Sequence, residues 1–153
     1  MSKCSVDDIL EFAIVGEIAA NRFYMDMAEK MKNPAMAKAF AEFAKEELGH
    51  KAKLEAVKRD KTLTANESTA AKVTDLKIAD YTVDAEPTPD MDYQDALILA
   101  MKNEKAAYRL YTDLAGSTED ENLSQMFAFL AQEEAKHKLR FEIEYDNEVM
   151  KEN

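Results

Sequence analysis

Glu46-Glu47-Leu48-Gly49-His50-Lys51 and, 87 residues further on, Glu133-Glu134-Ala135-Lys136-His137-Lys138 are the two stretches that decide the fold. The chain has two histidines, and each stands three residues after a glutamate in the same EExxHK setting. Positions i and i+3 share one face of a helix. Glu47 and His50 can therefore reach a common point, as can Glu134 and His137. A carboxylate and an imidazole converging on one point make half of a metal site.

Around the first motif the stripe runs Met36, Phe40, Phe43, Glu47, His50, Leu54, Val57 in alternating steps of four and three. That spacing predicts a helix over 34–59, with ExxH on its core face and Pro34 as its first residue. Upstream, Leu10, Ile14, Glu17, Asn21, Tyr24, Ala28 and Met31 mark a helix over 6–31, capped by Ser5 with Asp7 and Asp8 in the first turn. The second motif lies in Leu123, Phe127, Leu130, Glu134, His137, Phe141, a helix over 119–149 followed by a frayed polar tail from Glu148 to Asn153. Before it, Leu97, Met101, Glu104, Tyr108, Tyr111 and Ala115 mark a helix over 92–115, begun by Asp90 or Asp92 and ended by Gly116 and Ser117. Residues 60–91 lose the helical period. They are expected to form a crossover running the length of a helix, on the order of 40 Å, with Val73 to Tyr81 packed alongside as a partly ordered strap.

Sliding the sequence by 87 residues superposes the first helix on the third and the second on the fourth without a gap. Glu17 falls on Glu104, Arg22 on Arg109, Tyr24 on Tyr111, Asp26 on Asp113, Phe40 on Phe127, Glu47 on Glu134 and His50 on His137. Identity holds at 15 of 43 positions from Phe12 to Leu54. A repeat this long is not a solenoid unit; it predicts two helical hairpins joined by the crossover, an all-α four-helix bundle in a single domain spanning 1–153.

Composition agrees. Of the 153 residues only three are glycine and three proline, while 46% are hydrophobic and 33% charged, the profile of long helices. The net charge of -11 argues against nucleic acid or an anionic membrane surface as partner. Cys4 is the one cysteine, which excludes an internal disulfide and a four-cysteine iron centre and suits the cytoplasm. Neither a signal sequence nor a membrane span is expected.

A lone glutamate on an apolar stripe is weak evidence for a ligand, and so is one ExxH. Four glutamates and two histidines at matched depths in a repeat are different, because a small domain cannot bear four buried carboxylates without a cation between them. Two divalent ions suit the set Glu17, Glu47, His50, Glu104, Glu134, His137. A glutamate from each of two helices plus ExxH from each of the other two is the ligand pattern of di-iron and di-manganese carboxylate bundles. The expected assignment puts Glu17 and His50 on one ion, Glu104 and His137 on the other, and Glu47 and Glu134 across both. Glu46 and Glu133 either accept the second ring N–H of a histidine or pair on the surface with Lys51 or Lys138. Tyr24 and Tyr111 either support the site or fill the core. Arg22 and Arg109 are expected to bridge to nearby acids, and the nine methionines to fill core space.

These residues resemble the ferritin-like superfamily, and most closely the rubrerythrin di-iron domain, over nearly the whole chain. The resemblance implies a bundle with two iron ions (manganese or a mixed pair being alternatives), a homodimer or larger homo-oligomer, and a peroxidase that reduces hydrogen peroxide, or dioxygen, with catalysis centred on Glu47 and Glu134. A ferroxidase or iron-storage protein is the alternative. The sequence departs from the family in two ways. The further glutamate expected three residues after Glu104 is Ala107, with Ala20 as its counterpart after Glu17. The rubredoxin domain is absent, so electrons would come from a separate donor such as a rubredoxin-like protein.

Overall fold

The computed structural model describes residues 5–152, with the backbone alone for residue 152. Cys4 and Asn153 lie outside the described residues. Among the described residues the fold is all-helical, with five α-helices: α1 (Val6–Lys30), α2 (Pro34–Asp60), α3 (Glu67–Thr74), α4 (Tyr93–Ser117) and α5 (Glu121–Glu152). It divides into two compact units, the first ending at Ile78 and the second beginning at Ala79.

The first unit is the α1–α2 hairpin with α3 laid on α1. Ser5 caps α1 through a reciprocal box with Asp8, in which each side chain accepts the other's backbone N–H. Those bonds hold the Asp8 carboxyl below its ordinary value. Asn33 caps α2 by accepting from the N–H groups of Ala35 and Met36, and Pro34 follows at the first turn. The core side of the hairpin carries Leu10, Ile14, Tyr24, Phe40 and Leu54, all buried, and between them Glu17, Asn21, Glu47 and His50. Tyr24 sits in an aromatic cluster, its ring 5.8 Å from Phe23, 6.1 Å from Phe40 and 6.4 Å from Phe43. The ring fills core space, one of the two roles expected of it.

The second unit is the α4–α5 hairpin. Asp92, rather than Asp90, caps α4 by accepting from the Asp95 N–H. Asp120 accepts from the Leu123 N–H at the head of α5. Leu97, Tyr111, Phe127, Leu130 and Phe141 are buried with Glu104, Glu134 and His137 among them. A 3-10 turn, Ile78–Tyr81, precedes α4 in the chain, and all of it but Ile78 belongs to this unit. Its Tyr81 hydroxyl donates to Asp113 Oδ2 on α4 at 2.6 Å, and burial together with that carboxylate pushes the phenol above its ordinary value, keeping it a donor.

Several expectations need correction. Residues 60–91 contain α3, capped by Asn66 and burying Thr69 and Val73, and Leu63 before it is also buried. Only two of α3's positions face inward, too few to register as a period. Gly116 does not end α4, which runs two residues past Ala115 to Ser117 and is capped by Thr118, whose hydroxyl donates to the Leu114 carbonyl at 2.6 Å. α5 runs past the expected end at Val149 to Glu152, and the last residue of the expected frayed tail, Asn153, lies outside the described residues. Tyr108, placed on the core stripe, is 37% exposed. It lies about 40° beyond Glu104 around the helix, while the buried arc extends the other way, to Leu99 and Leu110. Met25 and Met150 are exposed, so the methionines are not all core filler. Arg22 and Arg109 are exposed and form no ion pair among the described residues.

Candidate metal centre

In the first unit, Glu17 comes from the middle of α1, and Glu47 and His50 from successive positions on one face of α2. Their exposures are 3%, 1% and 3%. His50 Nδ1 lies 3.4 Å from Glu47 Oε1 and 3.6 Å from Glu17 Oε2. One donor atom from each of the three lies within 4.8 Å of the others. Two nitrogen or oxygen ligands about 2.1 Å from one ion stand roughly 3.0 to 3.4 Å apart; the His50–Glu47 pair meets that spacing and the His50–Glu17 pair is slightly wider. Glu17 Oε2, Glu47 Oε1 and His50 Nδ1 are buried and make no hydrogen bond.

The second unit repeats the arrangement. Glu104 comes from α4, and Glu134 and His137 from α5, each 1% exposed. His137 Nδ1 lies 3.7 Å from Glu104 Oε2, and donor atoms of Glu104, Glu134 and His137 again lie within 4.8 Å of one another. Within either unit no further His, Cys, Asp or Glu among the described residues joins its triad. Positions 20 and 107, each three residues after a lone glutamate, are half-buried alanines. The donor set of hard carboxylate oxygens with one imidazole per triad fits iron or manganese.

The flanking acids behave differently. Glu133 pairs with Lys136 at 3.1 Å, a surface contact, though with neither expected lysine. Lys51 instead faces Glu55 at 3.9 Å, and Lys138 pairs with Glu142. Glu46 is exposed. One residue beside the first triad carries no sequence signal of its own. Asn21 is 8% exposed, and its side-chain amide donates to the Ala44 carbonyl of α2 at 2.7 Å.

The family model for rubrerythrin matches residues 8–145 of this chain, both triads included. The chain belongs to the rubrerythrin family. Solved structures agree on the fold. A Thermotoga maritima protein described as ferritin-like and diiron-carboxylate aligns with a TM-score of 0.74 at 23% identity, over 92% of this chain and 94% of its own. A hypothetical protein from Pyrococcus furiosus aligns with a TM-score of 0.72 at 23% identity, over 93% of this chain and 89% of its own. No curated protein matches the chain in sequence. The fold is therefore ferritin-like. No helix among the described residues is long and apolar enough to cross a membrane.

Proposed function

We propose that this chain is a non-haem di-iron oxidoreductase that reduces hydrogen peroxide, or dioxygen, with electrons from a separate donor protein. The observation that carries this reading is the double occurrence of one buried triad, Glu17/Glu47/His50 and Glu104/Glu134/His137, with donor atoms converging in each unit. Family membership supports it.

In this proposal Glu17 and His50 would hold one ion and Glu104 and His137 the other, with Glu47 and Glu134 as shared ligands. When bound, the pair of Fe(II) ions supplies the two electrons that, with two protons, convert peroxide to two waters. The protein's part is to fix the donors before the ions arrive. Burial at 1–3% exposure keeps bulk water from competing for the carboxylates. Ala20 and Ala107 leave six ligands, so coordination positions stay open for the oxygen substrate. Tyr24 and Tyr111, both 1% exposed, line the core two turns beyond the lone glutamates and place oxidisable phenols there. The cytoplasm is the proposed compartment, and a homodimer or larger homo-oligomer the proposed assembly.

The test is to load the protein with Fe(II) and mix it separately with peroxide and with dioxygen. A much faster reaction with peroxide is expected. No oxidation by either sinks the proposal, and oxidation by dioxygen with iron retained as a mineral in a large shell replaces it with ferritin-like storage. Metal analysis supplies a second check. About two ions per chain are expected, with a large loss in Glu47→Ala and Glu134→Ala.

A further inference from the structure

We propose that Asn21 is a positioning residue that fixes the register of α1 against α2 for the first triad, and for that triad alone. The inference rests on the metal-site reading above. Asn21 stands one turn after Glu17 on the same face of α1, and Ala44 lies three residues before Glu47 on α2. The 2.7 Å bond from Asn21 Nδ2 to the Ala44 oxygen therefore joins the two helices within one turn of both carboxylates. A buried amide costs desolvation unless it is bonded. A leucine would fill that position without the cost. What the amide adds is direction: its acceptor is a backbone carbonyl held by the helix, so sliding α2 along α1 breaks the bond before it disturbs the packing.

The second unit lacks this device. The repeat-related position is Tyr108, which is 37% exposed and makes no hydrogen bond among the described residues. The first unit also carries Gly16 beside Glu17 and Gly49 beside His50, where the second has Asn103 and Lys136. A Cβ at either glycine would meet nothing within 4 Å, so neither is needed for close packing. Glycine loosens a helical turn. The triad whose ligand-bearing turns are looser is thus the one with the interhelical bond beside it.

The test is an anaerobic cobalt(II) titration of the full chain, followed by absorption. His50→Ala identifies the bands of the first ion. Asn21→Leu is expected to weaken that ion about 10- to 100-fold and the other by less, since it reaches the second ion only through the shared Glu47, while Tyr108→Leu leaves both unchanged. Asn21→Leu with both ions at parental affinity overturns the proposal, as does equal weakening of both or a loss on Tyr108→Leu. Should Asn21→Leu lose its helical circular dichroism, Asn21→Ala is judged by the same criteria. A parent that binds no cobalt overturns the metal-site reading and this inference with it. A parent that binds two ions alongside an unaffected Asn21→Leu overturns the positioning role alone.

Discussion

Glu17, Glu47, Glu104 and Glu134, each between 1% and 3% exposed, set the sign of a stability effect. Without a cation the four carboxylates oppose folding; in the proposed metal-bound state they would be what the cation holds. Glu47→Gln keeps the shape and removes one charge. In chelator it is expected to raise the free energy of urea unfolding by about 1–3 kcal/mol, and in metal-loaded protein to lower it. The same sign in both states would show that Glu47 is no ligand. Gly49 tests the adjoining turn. It lies mid-helix with open space where a Cβ would go, so Gly49→Ala should stabilise the metal-free protein by about 1 kcal/mol. A loss instead would mean that the turn uses glycine's backbone freedom. At this scale the ExxH pairs were legible because both chemistry and spacing were specific. Glu17 and Glu104 became legible only through the repeat, since a glutamate on a stripe has no signature of its own. Asn21 was visible as a position but not as a bond, because its acceptor is a backbone carbonyl that no sequence pattern marks.

The elements repeat as faithfully as the triads. The N-caps Ser5 and Asp92 are 87 residues apart, and so are Asn33 and Asp120; the C-caps Met31 and Thr118 keep the same interval. Capping side chains thus hold both hairpins at matching lengths, which puts the two triads at matching depths. Helix starts were readable because Ser, Asp and Asn accept the first free N–H groups. The end of α4 was misread because the Thr118 hydroxyl, not glycine, satisfies its last turn. Residues 60–91 were misread because a two-turn helix has no measurable period, although Leu63 and Val73 are as buried as any core residue. Leu63→Ala should therefore cost about 2–5 kcal/mol in urea unfolding; a negligible change would make the segment a loose cover. The box at Ser5 adds a pH dependence. Asp8 titrates below its ordinary value when folded, so its contribution is present above the unfolded value and is lost as pH falls through the folded one. Ser5→Ala should flatten that acid-side slope in unfolding measured between neutral and strongly acid pH. An unchanged slope would place the acid sensitivity elsewhere.

At the scale of the whole chain, the net charge of -11 and the buried acids act on stability through different routes, and salt separates them. Surface repulsion is screened by any electrolyte, with a Debye length near 10 Å at 0.1 M, whereas groups at 1–3% exposure are screened far less. Sodium chloride should therefore raise the midpoint of thermal unfolding gradually with ionic strength and with no stoichiometric end point. An ion that binds the folded chain adds RT ln(1 + [L]/Kd), about 2.7 kcal/mol at a hundred times Kd for each site. At fixed ionic strength, then, manganese(II) or iron(II) should raise the midpoint further and saturate near about two ions per chain. Magnesium should do much less, since it gains little from the imidazoles of His50 and His137. The added rise should vanish in a chain carrying both His50→Ala and His137→Ala, while the sodium chloride effect remains. If magnesium and manganese behave alike, or the double variant keeps the full rise, the stabilising cations sit on the acidic surface and the triads are not their site.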